Sequence, residues 1–433
     1  MKRLISLALC MVMLLTLAGC GLPLPTTETE PPTEPTEPPT QPVVEVPMDE
    51  KPTLAYEGVQ LQYWSLLDRE DPEADLLVQA AEMFEKTTGA VVELNWMAGD
   101  QTQLDGILAE GRADLFEISG NHLSEQYGQY AMELANLAEK SGYTENSWEV
   151  LRKQIISHWG ALKAVALRPH LYGLYYNRDR FDQLGIEATP ATWEDFVIFS
   201  RMLEEKGFEA LAIDQERANI LLELHMERAL GWDGLKETMV YARWRSNEMA
   251  MTMIQSAIQF AEDGYLVKGT PDTYPKGQDR LIQSNGMLVA GSEKLCSEVE
   301  RSTMMEANWG VFPYPGDGPG TGLLVDADLL AVSSNCADAD AAFDFAMLLT
   351  TGEFDQLRAD VTKAIPADPN NSSPILGANT CMASATDQAP KWFTADQNLL
   401  FTRLWNGWYK TGAYFADQLN KLSQNFAHEK SVG

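Results

Sequence analysis

The sequence predicts an α/β fold. Strands and helices alternate along almost its whole length, the first of them form a β-α-β unit, and 45% of its 433 residues are apolar. That length is enough for two or three lobes around cores of their own.

Val59-Gln60-Leu61-Gln62-Tyr63-Trp64 alternates as a strand does. Asp71-Pro72 then offers a helix cap with proline at the first helical position. Leu77, Ala80, Ala81 and Phe84 follow at helical spacing, and Gly89 suits the left-handed stop. A second strand begins at Val91, so the unit has the length that a parallel pair needs. Leu104, Ile107 and Leu108 mark another helix, and 113–118 another strand. The alternation resumes after Tyr172 with a strand over 173–177. Thr192-Trp193-Glu194-Asp195 opens a helix with a box-like cap, and Phe196, Phe199 and Leu203 are its buried face. Gly207 stops it before a strand at 210–213. Further strands are expected over 286–290, 309–314 and 323–332, and helix over 392–426.

The N-terminus reads as an export signal. Met1-Lys2-Arg3 is cationic, and the apolar run over 4–17 is shorter than the roughly 20 residues of a spanning helix. It ends in Leu17-Ala18-Gly19-Cys20, which resembles the bacterial lipobox. That resemblance implies a signal peptide of residues 1–19 and a lipid, palmitate among its chains, on a mature N-terminal Cys20. The alternative is an ordinary secretory signal with a chance cysteine. Residues 20–53 then form a tether rich in Pro, Thr and Glu, with TTETEPPTEPTEPPTQP at its centre. Proline stiffness and repelling glutamates predict an extended, disordered spacer.

Asp and Glu outnumber Lys and Arg 63 to 32, a formal charge of −31. Such a surface repels nucleic-acid phosphates and anionic headgroups, so nucleic acid is excluded as a partner. It also weighs mildly against a strongly anionic ligand, which a local basic pocket could override. Beyond Cys10 and Cys20 three cysteines remain, Cys296, Cys336 and Cys381, none at metal-ligand spacing. Free thiols are the preferred reading, with one disulfide left open. The five histidines form no H-E-x-x-H, and neither G-x-S-x-G, P-loop nor dinucleotide glycine pattern occurs. The chain is therefore read as a non-enzyme with no metal and no cofactor.

Several segments, in order, resemble the family 1 extracellular solute-binding proteins, the sugar receptors of ABC importers. These are the opening VQLQYW…LLVQAAEMFEKTTGAVVEL, then YGLYYNRDRFDQLGIEATPATWEDF, NGMLVAGS, WGVFPYP, LLAVSS…ADAAFDFAMLLTTGEF and AIPA. Many members carry a Trp just after the glycine that matches Gly291, and here Ser292-Glu293 follows instead. The resemblance implies a two-lobed periplasmic-binding-protein type II fold with discontinuous lobes joined by crossing strands. Lobe one is then 54–172 plus 324–365, and lobe two 173–323 plus 366–433. It implies a carbohydrate ligand, an oligosaccharide, in the interlobe cleft. It further implies ABC permease transmembrane subunits as partners, a monomeric receptor, and a lipid anchor at the extracytoplasmic face of the cell membrane. The readings left open are a peptide, polyamine or other organic solute in the same fold, a sensory lipoprotein, and a glycan hydrolase.

Candidate ligand residues follow from that cleft. Trp64 ends the first strand and could stack on a sugar, or be a rim or core residue. Asn121 follows the strand over 113–118, where its amide could meet a hydroxyl or cap a helix. Of Tyr175 and Tyr176, alternation turns one to the cleft, and Tyr175 is taken. Trp232 lies between Gly231 and Asp233, and Trp405 on the C-terminal helical stretch. Asp326 and Asp328 interrupt an apolar strand, where buried carboxylates need partners, so Asp326 is included.

Overall fold

The computed structural model describes residues 54–386, apart from 101, 120–124, 213–217, 241–246 and most of 250–285. Residues 1–53 with Cys20, Asn121, Trp405 and the helix expected over 392–426 lie outside the described residues.

Strands β1 (Gln60–Ser65) and β2 (Val91–Trp96) pair in parallel around α1 (Pro72–Thr88), giving the expected β-α-β unit. The Asp71 side chain accepts the Glu73 backbone N–H, Pro72 takes the first turn, and Gly89 stops the helix at φ 85°. Glycine alone adopts that backbone without strain. Then come α2 (Thr102–Ala109) and β3 (Leu115–Ile118), which lies parallel to β1 on its other side. Helices α3 (Ala135–Ser141) and α4 (Glu149–Trp159) lead to β4 (Val165–Asn177). That strand starts eight residues before the expected 173, because its first half holds the polar run Arg168-Pro169-His170.

After β4 come α5 (Arg178–Leu184) and α6 (Trp193–Glu205), whose cap Thr192 accepts the Asp195 backbone N–H at 3.1 Å. Next are β5 (Glu209–Ala212), α7 (Ala218–Val240), broken at Gly231, and β6 (Gly286–Gly291). The chain continues through α8 (Lys294–Thr303), β7 (Trp309–Phe312), β8 (Leu324–Val332), α9 (Ala339–Thr350), α10 (Gly352–Thr362) and α11 (Ala378–Ser384).

The sheet order is β2-β1-β3-β8-β4-β6-β5, with β7 also paired to β4. Its two long strands serve both halves. Strand β4 runs against β8 from Val165 to Tyr172, then against β6 and β7 from Gly173 onward. Strand β8 in turn reaches β3 at its far end. This is the two-lobed α/β architecture with crossing strands. One core cluster gathers Tyr63, Phe84, Phe116 and Phe345, and a second gathers Phe181, Phe196, Phe260 and Phe312. The first also takes in Val289, Leu295 and Trp309, so packing is continuous across the crossing on that face.

Candidate functional site

Where β4 and β8 cross, their inward side chains carry charge. Arg168 and His170 stand on β4, and Asp326 and Asp328 face them on β8. Residues two apart on a strand share a face, so all four lie in one layer. Isolated charges there would be costly, and each is met by a partner from another element.

Arg168 is the hub. Its Nη1 and Nη2 donate to Glu117 on β3 at 2.9 and 3.1 Å, and its Nε to Glu73 on α1 at 2.6 Å. Glu117 is wholly buried and also accepts from the Tyr63 hydroxyl at 2.5 Å, Ser65 Oγ at 3.0 Å and the Leu66 backbone N–H at 2.8 Å. Strands β1, β3 and β4 are thereby fastened at one carboxylate. Burial alone would raise the Glu73 pKa, but the guanidinium charges of Arg168 and Arg358 hold it below the ordinary value.

His170 is the second hub. Its Nδ1 lies 2.6 Å from Glu293 Oε1, and Glu293 Oε2 accepts the Leu171 backbone N–H at 3.1 Å. Glu293 stands just before α8, two residues past Gly291, in the loop where many sugar-binding members are expected to carry a Trp. A carboxylate that pins the head of α8 to β4 occupies the place. His170 Nε2 lies 3.4 Å from Asp328 Oδ2, and Lys294 Nζ 3.7 Å from the same oxygen. Burial would lower the His170 pKa, but the Glu293 and Asp328 charges raise it to about 9, so the ring is cationic at neutral pH. Burial would raise Asp328, yet His170, Lys294 and Arg168 hold it far below the usual carboxylate range.

Above these hubs opens a cavity of about 490 Å³. One wall is the start of α1, at Asp71 and Glu73, with α10 at Arg358 and Val361. Strands β4 and β8 form its floor through Arg168, His170 and Asp328. The facing wall is α8, with Glu293, Lys294 and Arg301. The cavity thus lies beyond the carboxyl end of β1, where ligands of open α/β sheets sit. Among the described residues its lining holds no Trp, Tyr or Phe. No group of three or more His, Cys, Asp or Glu suited to a metal ion occurs among them either.

The expected site residues fall elsewhere or at the margin. Trp64 is off the cavity wall: its Nε1 donates to the Arg112 carbonyl at 3.2 Å, with the Arg112 guanidinium over its ring. Tyr175 is fully buried in the core, its hydroxyl donating to the Leu171 carbonyl at 2.7 Å. Trp232 follows the Gly231 break in α7, also away from the wall. Asp326 is buried beneath the floor and accepts from the Tyr172 hydroxyl at 3.2 Å, while its neighbour Asp328 lines the cavity. Missed from sequence were Arg168, His170, Glu117, Glu293 and Lys294. The available signal was the charged Arg168-Pro169-His170 run inside an apolar strand, matching the Asp326-Ala327-Asp328 interruption in β8.

A family model for bacterial extracellular solute-binding proteins matches residues 69–353. Among solved structures, the apo form of RafE from Streptococcus pneumoniae aligns with a TM-score of 0.71 at 17% identity, covering 85% of this chain and 98% of that one. The solute receptor AcbH, described as preferring β-D-galactopyranose, gives 0.69 at 15% identity over 86% and 98%. The sugar-binding protein MalE from Xanthomonas citri gives 0.68 at 14% identity over 86% and 99%. No curated protein matches. At such identities the structural likenesses speak for the fold.

Proposed function

We propose, for a chain that belongs to the family of bacterial extracellular solute-binding proteins, that it captures a small polar solute for an ABC importer. The carrying observation is the cavity of about 490 Å³ walled by α1 and α10 on one side and α8 on the other, over the β4–β8 crossing. A ligand touching both lobes favours the closed arrangement by as much as it prefers that arrangement, and the closed form then docks on the permease. Lipid on Cys20 would hold the receptor at the outer face of the membrane, with the Pro-Thr-Glu spacer setting its reach.

The first reading of the solute is a carbohydrate. AcbH and raffinose-bound RafE take sugars, and carboxylate and guanidinium groups suit hydroxyls. A charged organic solute is the second reading, favoured by a wall of ionic side chains without Trp, Tyr or Phe among the described residues.

The test is a thermal-shift and small-angle scattering screen of the mature chain from Gly21 against sugars, acids, peptides and polyamines. A ligand at a hundredfold its Kd adds about 2.7 kcal/mol of stability. Unchanged melting and unchanged radius across the whole panel would sink the receptor reading. Anchoring is tested separately: Cys20→Ser should move the protein from the membrane fraction to the medium.

A further inference from the structure

We infer that the solute carries an oxyanion, a carboxylate or a phosphate, seated against Lys294, Arg301 and His170 on the α8 side of the cavity. This rests on the receptor reading above and names the chemistry that the same site selects.

Lys and Arg are outnumbered on the wall by Asp and Glu, six to four, which at first suggests a cation. The hydrogen bonds reverse that reading. Glu73 is engaged by Arg168, and Glu293 by His170 and the Leu171 N–H. Glu300 accepts from Trp309 Nε1 and the Ala307 N–H, and Asp71 caps α1. Asp328 faces His170 and Lys294. Five of the six wall acids are thus engaged by internal partners.

The spare capacity is in donors. Among the described residues His170 Nε2 and Arg358 Nε are buried without a hydrogen bond, and both side chains are on the cavity lining. Both residues are more than nine-tenths buried. His170 Nε2 has only the Asp328 carboxylate at 3.4 Å, and a buried cationic N–H that lacks a well-formed hydrogen bond is costly, so an oxyanion entering the cavity would meet that need. Lys294 adds a third donor set: its side chain is 53% exposed and its contact with Asp328, at 3.7 Å, exceeds hydrogen-bond length. Arg301 lies seven residues further along α8, hence on the same face, and also lines the cavity.

Helix geometry adds to this. Lys294 is the first residue of the ten-residue α8, whose Leu295 and Cys296 N–H groups are engaged by the Ser292 and Glu293 carbonyls, so the helix acts through its dipole. An oxyanion beside Lys294 would lie at the positive end of that dipole. The flexible lysine stem needs only a small swing away from Asp328 to reach it. The overall charge of −31 opposes anions at long range, but salt screens such fields beyond about 8–10 Å while the donors act in contact.

Isothermal titration of the mature chain from Gly21 with galacturonate, galactose, galactose 1-phosphate and putrescine tests the inference. Galacturonate or the phosphate ester should bind at least about tenfold more tightly than galactose, a gap of one charge-assisted contact or more. Which of the two binds identifies the oxyanion. The Lys294→Met/Arg301→Met pair should weaken that binding by at least about tenfold with the far-ultraviolet dichroism unchanged. Galactose binding equal to galacturonate, binding of putrescine alone, or no loss in the double variant overturns the inference and leaves the receptor reading standing. No binding by any of the four also overturns it, and the wider solute screen then decides the receptor reading by itself.

Discussion

Arg168 stands directly opposite Asp328 across the β4–β8 ladder, and its guanidinium reaches past it to grip Glu117 with two hydrogen bonds of 2.9 and 3.1 Å. The crossing of β4 and β8 is therefore a buried charged layer in the middle of the sheet. Replacing Arg168 by Leu leaves the Glu117 carboxylate buried without its counter-charge. Removing one partner of such a pair costs about 3–5 kcal/mol. Urea unfolding should show a lower midpoint at an unchanged slope. A loss under about 1 kcal/mol would mean that water or a rearranged side chain compensates Glu117.

His170 makes stability depend on alkaline pH. Its folded pKa, about 9, lies above the free value of 6.5. Its contribution is therefore complete below about pH 6.5 and is lost as pH rises through about 9. The amount at stake is on the order of 3 kcal/mol. Between about pH 7 and about pH 10 the wild-type protein should lose more stability than His170→Asn does. Parallel losses in both would show that His170 carries no excess charge affinity.

How much of this was legible in the sequence depends on the range of the interactions. The start and stop of α1 at Asp71 and Gly89, and the Thr192 cap of α6, were readable because a cap involves residues a few positions apart. The first half of β4 was not, because Arg168 becomes tolerable in a strand only through Glu117 and Glu73, 51 and 95 residues away, and His170 only through Glu293, 123 residues away, and Asp328. Alternation puts Tyr175 and Tyr176 on opposite faces, in different core clusters, yet period two assigns a face, not a depth, and both rings are buried where one was expected in the cleft. Trp64 met its partner, Arg112, on the far side of β1 from Tyr63, and a strand-end Trp carries no sign of that.

Two glycines should respond in opposite directions. Gly106 lies within α2, and a methyl group there would meet nothing within 4 Å. Gly106→Ala should stabilise by about 0.4–1 kcal/mol, by narrowing the unfolded ensemble. A methyl at Gly320 would collide with the carbonyl oxygen of Glu227, whose own carboxylate holds the Thr321 and Gly322 N–H groups at 2.7 Å. Gly320→Ala should destabilise by about 1–3 kcal/mol, the range for overpacking. Melting curves that moved the same way for both would contradict the packing at one of them.

Cys296 and Cys381 are buried free thiols, and Cys336 is half-buried and free. Burial raises the Cys336 pKa to about 12 and that of Cys381 to about 11, so little reactive thiolate exists at neutral pH. Dithiothreitol should leave the melting temperature of the mature chain without its lipidated cysteine unchanged. Thiol titration should find almost no fast-reacting group when folded, and all three of these when unfolded. A reductant-dependent melting shift would point to a disulfide instead.

Glu293 holds the His170 charge and the head of α8 together, and a single substitution separates the two roles. Glu293→Gln keeps the shape but has one carbonyl oxygen for two donors, His170 Nδ1–H and the Leu171 N–H. Whichever donor the oxygen faces, the amide NH2 confronts the other, so one hydrogen bond to a charged group is lost, at about 1.5–3 kcal/mol. The main attraction raising the His170 pKa is lost with the carboxylate, leaving burial to lower it and Asp328 alone to support it. The NMR titration of the His170 ring should therefore move down from about 9 in Glu293→Gln. A midpoint that stays in place, with stability lowered, would assign the His170 charge to Asp328 and leave Glu293 as a fastening of α8 only.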